Sequence, residues 1–149
     1  VLDFSKAFDK VNHSKLPLKL AQQGISHQLR SWLESFLSER SQKIIIDGEE
    51  SSEAAVTSVV PQGSVLGPAM FLFYIKDKPN NLHLIVRLFA DYTFVYNTAK
   101  NHQSLQDVLA KLEMWEDAWN MEFHPSKCQQ ITFSRKRHLL IKLSIFTIQ

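Results

Sequence analysis

The stretch RLFADYTFVY, from Arg87 to Tyr96, constrains the fold of this chain more than any other segment. It consists of two short runs of β-favouring residues with one carboxylate, Asp91, between them. Such runs on either side of a break predict two antiparallel strands joined by a hairpin, with Ala90 and Asp91 at the bend. Burying an unpaired carboxylate is energetically expensive. Asp91 must therefore either cap the turn or face a cation.

The first half of the chain predicts two helices followed by a hairpin. A short helix in SKLPLKLAQQG is closed by Gly24, a residue suited to the left-handed C-cap position. A longer amphipathic helix follows with Ser26 as its N-cap, and its apolar positions have helical spacing at Leu29, Trp32, Leu33, Phe36 and Leu37. Two β-rich runs around Asp47 and Gly48 predict a hairpin with a fairly long loop.

The second half predicts an apolar helix that ends near Lys78, then the RLFADYTFVY hairpin, then an amphipathic helix. That last helix has Ser104 and Asp107 in the spacing of a capping box, and its apolar face comprises Leu105, Val108, Leu109, Leu112, Trp115 and Trp119. The run CQQITFS predicts a closing strand, and the tail 135–149 is not assigned. With no internal repeat or linker, the chain is predicted to be one α+β unit.

Composition narrows the classes of protein. The chain is 44% hydrophobic and 21% charged, which is typical of a packed globular domain. Its one cysteine, Cys128, excludes an internal disulfide framework and fits a reducing, intracellular compartment, nucleus or cytoplasm. No apolar run approaches the roughly 20 residues of a membrane-spanning helix, so no membrane partner is expected.

The histidines lack zinc-ligand spacing, and no phosphate-binding glycine loop is present. Because VLDF resembles the inside of a strand, we expect the natural chain to start upstream of Val1.

A second carboxylate, Asp3, lies inside an apolar run 88 positions before Asp91. Two carboxylates on adjacent strands could share a hard divalent cation, since Mg²⁺ takes one or two protein carboxylates and fills its other positions with phosphates and waters. The alternative is that each aspartate caps a strand end through an Asx turn, which is the commoner role of such residues. The two residues by themselves leave both interpretations open.

Four ordered motifs support the first interpretation: LDFSKAFD, PQGSVLGP, FADY and WNMEFHPSKC. Together they resemble the palm region of reverse transcriptases, and most closely those of jockey-type non-LTR retrotransposons. The resemblance covers residues 1–134 and implies an antiparallel-sheet palm with helices packed on one face, without the start of the fingers and without the thumb. It also implies an RNA-directed DNA polymerase with Mg²⁺, or Mn²⁺, as cofactor. Its partners would be an RNA template, a DNA primer and deoxynucleoside triphosphates.

The resemblance assigns roles to particular residues. Asp3 and Asp91 correspond to the catalytic carboxylates that bind both metal ions. Phe8 corresponds to the aromatic residue that excludes a ribose 2′-hydroxyl, although ordinary core packing would also explain a phenylalanine there. Gln62 and Gly63, in the PQGS motif, correspond to the wall of the nucleotide pocket. Lys127 corresponds to a lysine near the incoming triphosphate, where a solvated loop lysine is the other interpretation.

The third motif departs from the family pattern. The family has aromatic-Ala-Asp-Asp, whereas this chain has Phe89, Ala90, Asp91 and Tyr92. The second aspartate helps to hold a metal ion, and the uncharged phenol of Tyr92 supplies no anionic oxygen. Two functions therefore remain: a reverse transcriptase domain with impaired catalysis, or a catalytically dead retroelement remnant that keeps the fold and at most weak nucleic-acid binding. A viral RNA-dependent RNA polymerase is disfavoured by Phe8 and by the fourth motif.

Overall fold

The computed structural model describes residues 1–77, 84–97 and 102–133. These residues contain four α-helices, namely α1 (Leu16–Gln22), α2 (His27–Leu37), α3 (Leu66–Ile75) and α4 (His102–Trp119). They also contain seven short strands, namely β1 (Leu2–Asp3), β2 (Ser41–Gln42), β3 (Ile45–Ile46), β4 (Glu49–Glu50), β5 (Ala54–Ala55), β6 (Ile85–Phe89) and β7 (Tyr92–Tyr96). The helices and antiparallel strands confirm the predicted α+β class. None of the helices in these ranges is long and apolar enough to cross a membrane.

The chain forms two compact units. We call Phe8–Asp77 the helical unit, and we call Val1–Ala7 together with the described residues after 77 the sheet unit. The amino-terminal strand therefore belongs with residues that follow it by more than 80 positions, because it pairs with β7.

In the helical unit, the ends of α1 and α2 follow the predicted capping rules. Gly24 has a φ of +79°, the left-handed conformation that glycine adopts at a helix C-terminus. The Ser26 hydroxyl accepts the backbone N–H of Leu29 at 3.4 Å, as expected of an N-cap. The apolar face of α2 is only partly buried, because Leu33 and Leu37 are covered whereas Leu29, Trp32 and Phe36 are exposed.

The hairpin after α2 has a tighter turn than the sequence predicted. Ile46 pairs with Glu49, so Asp47 and Gly48 are the two residues of the turn. Their φ angles of +52° and +87° are those of a primed turn, which matches the twist of the flanking strands. After a break in the ladder, β2 and β5 continue the antiparallel pairing.

The helices α1 and α3 pack together around a buried lysine. Lys19 is fully buried, pairs with the carboxylate of Asp77 and places its Nζ 5.8 Å from the centre of the Tyr74 ring. Burial lowers the pKa of Lys19 to about 8, and the Asp77 carboxylate opposes that shift. The predicted end of α3 at Lys78 lies outside the described residues, whereas the helix ends at Ile75.

The sheet unit contains a three-stranded antiparallel sheet in the order β1–β7–β6, which confirms the RLFADYTFVY hairpin. Thr93 in the central strand is opposite both Leu2 and Leu88. Side chains that lie opposite each other in an antiparallel pair project from the same face of the sheet. Leu2 and Thr93 are fully covered on one face, whereas Tyr92 on the other face is 40% exposed.

The helix α4 covers the Leu2 face through the aromatic side chain of Phe4. The Phe4 ring centre lies 6.2 Å from that of Trp115 and 4.5 Å from that of Phe123, and all three residues are buried. The predicted apolar face of α4 is therefore the packed face. The predicted capping box is wrong, because α4 begins at His102 and Asp107 instead accepts a hydrogen bond from Gln103 at 3.0 Å.

The segment after α4 runs beside β1 on the side opposite β7. The Ser5 N–H donates to the Glu122 carbonyl at 2.7 Å, and the His124 N–H donates to the Asp3 carbonyl at 2.7 Å. The 3₁₀ helix Pro125–Lys127 follows. No strand forms within residues 128–133, where the sequence predicted one, although Val1 and Gln129 exchange two backbone hydrogen bonds. Ser134 and the tail lie outside the described residues.

Candidate active site

The sheet unit brings the two predicted catalytic carboxylates to one end of the same sheet. Asp3 is directly opposite Tyr92 in the β1–β7 pair, and Asp91 is the residue that precedes Tyr92. Residues 88 positions apart in the chain are therefore neighbours across two adjacent strands. The β1–β7 register therefore brings the backbone positions of Asp3 and Asp91 close together at this end of the sheet.

The hairpin turn sets the position of Asp91. Phe89 pairs with Tyr92, so Ala90 and Asp91 are the two turn residues. Ala90 has a φ of +50°, the sign that a primed hairpin turn needs at its first central position. Asp91 is half-buried, and none of the residues that the structure describes donates a hydrogen bond to its carboxylate. An Asx-turn cap therefore finds no support at this position.

Asp3 lies in a more extreme environment. The residue is only 6% exposed, and its Oδ1 atom is buried without a hydrogen-bond partner. Its Oδ2 atom lies 3.7 Å from the Nζ atom of Lys127. A buried carboxylate oxygen without a partner costs on the order of 1–3 kcal/mol or more, so this oxygen requires an explanation such as a bound ion.

The donor set fits a hard divalent cation. Asp3 and Asp91 offer carboxylate oxygens, and the orphaned Oδ1 of Asp3 is an acceptor that a cation would satisfy. Within the described ranges no group of three or more His, Cys, Asp or Glu side chains is arranged to hold a metal ion. A pair of carboxylates is nevertheless enough for Mg²⁺, which completes its coordination with phosphates and waters.

Tyr92 shares a sheet face with Asp3. Tyr92, Phe94 and Tyr96 alternate along β7, with ring centres 6.4 Å apart at each step. The phenol at position 92 therefore begins an aromatic row rather than adding an anionic oxygen beside Asp3.

Three predicted site residues belong to the helical unit. The Phe8 ring packs against Phe71 with 4.6 Å between ring centres, so one side of the predicted steric gate is held by core packing. Gln62 is exposed, and its Nε2 donates to the Asp9 carboxylate at 3.5 Å. Gly63 has a φ of +82°, a conformation that favours glycine.

The PQGS loop depends on a glycine that the sequence analysis did not single out. A Cβ atom on Gly67 would lie 2.4 Å from the Pro61 carbonyl oxygen, which is too close for any side chain. The Ser64 hydroxyl donates to that same carbonyl at 2.7 Å and accepts the Gly67 N–H at 2.9 Å. The spacing of Gly63 and Gly67 within the motif was the available signal.

A second missed residue, Glu116, supports the strand that carries Asp3. Its carboxylate accepts the backbone N–H of Phe123, in the segment that pairs with β1. The signal was a carboxylate next to Trp115 in the apolar stripe of α4.

A cleft of about 600 Å³ in the helical unit, which includes His13, Glu34 and Arg40, contains none of the predicted site residues.

Comparison with known proteins identifies the family of the chain. A family model described as "Reverse transcriptase (RNA-dependent DNA polymerase)" matches residues 1–141. The chain is 32% identical over 147 residues to "RNA-directed DNA polymerase from mobile element jockey" of Drosophila melanogaster, covering 91% of this chain and 16% of the relative. The protein of the same description from Drosophila funebris is 31% identical over 89% of the chain, and covers 16% of that relative.

A third relative is "Probable RNA-directed DNA polymerase from transposon X-element" of Drosophila melanogaster, which is 30% identical over 91% of the chain. The chain spans 16% of the length of this relative too, so it corresponds to a small part of each whole protein. The family match covers all of the residues that carry the four motifs. The chain therefore belongs to the reverse transcriptase (RNA-dependent DNA polymerase) family, as a jockey-like member.

Proposed function

We propose that this chain is part of the palm of an RNA-directed DNA polymerase, in which Asp3 and Asp91 hold the divalent ions of nucleotidyl transfer. The family uses divalent metal ions, and Mg²⁺ is the ion that we propose here, with Mn²⁺ as a substitute. The observation that supports the proposal is the β1–β7 register, because it places Asp3 beside the turn that carries Asp91. The substrates would be deoxynucleoside triphosphates on an RNA template and DNA primer, inside the cell.

The two carboxylates have distinct tasks in this proposal. Asp3 has a buried oxygen without a protein partner, and a bound cation would satisfy it. Asp91 lies in a two-residue turn whose backbone is set by strand pairing on both sides, so its position is also fixed. When bound, divalent ions activate the primer hydroxyl and stabilise charge on the departing pyrophosphate.

The remaining predicted residues would select and orient the nucleotide. Phe8 would exclude a 2′-hydroxyl by steric collision, and its contact with Phe71 restricts the ring from moving aside. Gln62 offers a hydrogen-bond donor and acceptor, and Gly63 permits close approach of the backbone. Lys127 carries a positive charge that could assist departure of pyrophosphate.

Tyr92 lowers the activity that we expect of this chain. An aspartate at this position would face the same side of the sheet as Asp3 and would add a third carboxylate to the proposed site. Metal stabilisation of the transition state is worth several kcal/mol, so losing much of it would lower the rate by roughly a thousandfold or more. The second candidate function, a catalytically dead remnant that keeps the fold, is favoured by this same substitution.

A chimera separates the two candidates. Residues 1–134 would be grafted between the fingers and thumb of an active jockey-type enzyme, and primer extension on an RNA template would be measured with Mg²⁺. We expect little or no extension with Tyr92 and substantial rescue by Tyr92→Asp. Tyr96→Asp adds the same charge on the same face of β7, four residues further along the strand, and should give no rescue. If the chimera with Tyr92 extends primers as well as the Tyr92→Asp chimera does, the interpretation of Tyr92 as a lost metal ligand is wrong.

A further inference from the structure

We propose that Lys127 is a built-in counter-ion of Asp3, which a divalent ion must displace, so that this lysine lowers the metal affinity of the free protein. The inference rests on the proposed metal site at Asp3 and Asp91. It adds to that site a residue that sets its affinity and couples metal entry to the release of a positive charge.

The contact between the two side chains has the geometry of a reversible counter-ion. The Nζ atom of Lys127 lies 3.7 Å from Oδ2 of Asp3, a charge contact that is longer than a normal hydrogen bond. The lysine side chain is 54% exposed, whereas the aspartate side chain is 9% exposed. The ammonium group can therefore leave toward solvent at little cost, while the carboxylate stays in place.

The backbone holds the lysine next to this carboxylate. Lys127 is the last residue of the 3₁₀ helix Pro125–Lys127, and its N–H donates to the His124 carbonyl at 3.0 Å. The His124 N–H in turn donates to the carbonyl of Asp3 at 2.7 Å. The backbone thus keeps the ammonium group near Asp3. Its effective concentration there is high, so it competes with an incoming cation for the carboxylate.

The lysine compensates only half of the carboxylate. It faces Oδ2, whereas Oδ1 is buried and has no hydrogen-bond partner. The single positive charge of Lys127, at 3.7 Å, means that the buried Asp3 carboxylate is not an isolated charge. It does not satisfy the second oxygen of that carboxylate. A divalent ion satisfies the carboxylate better, so exchange of the lysine for the ion is favourable once the ion is available.

The size of the effect follows from Coulomb's law. An ion bound to Oδ2 could lie no more than about 6 Å from an unmoved Nζ, because Mg²⁺–oxygen distances are about 2.1 Å. Repulsion between charges of +2 and +1 at that distance, even with the dielectric constant of water, corresponds to about a tenfold loss of affinity. The ammonium group avoids part of this repulsion when it swings toward solvent, so we expect removal of the lysine charge to tighten metal binding by up to about tenfold.

The exchange also explains why the position of Lys127 that the motif implies differs from its position in the structure. The sequence motif predicts a lysine near the incoming triphosphate, and the structure has it against Asp3. In the proposed order, the metal ion enters with the nucleotide, Lys127 is released from Asp3, and its charge becomes available to the phosphates.

The test is a titration of the full chain with Mn²⁺, in which free Mn²⁺ is followed by electron paramagnetic resonance. Lys127→Met and Lys127→Gln should each bind Mn²⁺ several-fold more tightly than the unaltered chain, up to about tenfold, while Lys127→Arg should bind as the unaltered chain does. Lys43→Met is the matched control, because Lys43 is similarly exposed and paired with Glu50, and it removes the same net charge from the helical unit. It should leave the affinity unchanged.

The outcomes distinguish this inference from the function on which it rests. Asp3→Asn should abolish Mn²⁺ binding both alone and combined with Lys127→Met. If Asp3→Asn abolishes binding but Lys127→Met leaves it equal or weaker, the counter-ion role is wrong and the metal site stands. Binding that is unaffected by Asp3→Asn, or no binding by any variant, overturns both.

Discussion

The partly buried carboxylate of Glu116 makes the stability of the sheet unit depend on pH in a direction that can be measured. Burial, reinforced by repulsion from Glu113, Asp117 and Glu122, raises the pKa of Glu116 from 4.5 to about 7, against the opposing hydrogen bond from the Phe123 N–H. Between these two values the folded chain keeps a proton that the unfolded chain has lost. The contribution of Glu116 is therefore complete below about pH 4.5 and is lost as the pH rises through about 7.

The magnitude follows from the shift and from the partial exposure of Glu116. Each unit of pKa corresponds to 1.36 kcal/mol, and a side chain that is half open to solvent realises only part of that value. We expect the free energy of unfolding to fall by about 1–2 kcal/mol between pH 5 and pH 8 on account of this group. Glu116→Gln keeps an acceptor for the Phe123 N–H but cannot ionise, so this part of the decline should disappear.

Urea denaturation at pH 5, 6, 7 and 8 measures the effect. Glu116→Gln should match the unaltered chain at pH 5 and exceed its stability at pH 8. The control is Glu34→Gln, which removes an exposed carboxylate from α2 in the helical unit and should keep the full pH dependence. Parallel pH profiles for the unaltered chain and Glu116→Gln would refute the reasoning.

Two further predictions concern packing. Phe4→Ala should destabilise the chain by about 3–5 kcal/mol, because the buried Phe4 ring fills the space between Trp115 and Phe123; Phe133→Ala, at a residue that is 91% exposed, should change the urea midpoint little. Gly67→Ala should cost about 1–3 kcal/mol in thermal denaturation despite the higher helix propensity of alanine, because the added Cβ would lie 2.4 Å from a backbone oxygen. A midpoint for Gly67→Ala at or above that of the unaltered chain would contradict the close contact.

Local structural features, such as turns and helix ends, could be predicted from the amino-acid sequence. The RLFADYTFVY hairpin, the Ser26 cap and the Gly24 helix end were predicted and are present, because each depends on side chains within a few positions. Local signals also failed where neighbouring context overrode them. The helix α4 begins two residues before Ser104, which leaves the predicted capping box without a helix end to cap.

Burial was harder to predict than secondary structure. Helical spacing correctly identified the packed face of α4, but on α2 it included Trp32 and Phe36, which are exposed with rings stacked 5.9 Å apart. Periodicity shows that apolar residues share a face, and it does not show whether anything covers that face. What covers a face is decided by residues distant in the chain.

The amino-acid sequence by itself determined the family, the four motifs and the loss of the second carboxylate to Tyr92. Only the tertiary structure decided that Asp3 lies opposite Tyr92, that one of its oxygens has no partner and that Lys127 faces the other. The physical reason is distance along the chain. Propensity and periodicity act over a few residues, whereas a contact between positions 3 and 127 forms only when β1 is held between β7 and the segment after α4.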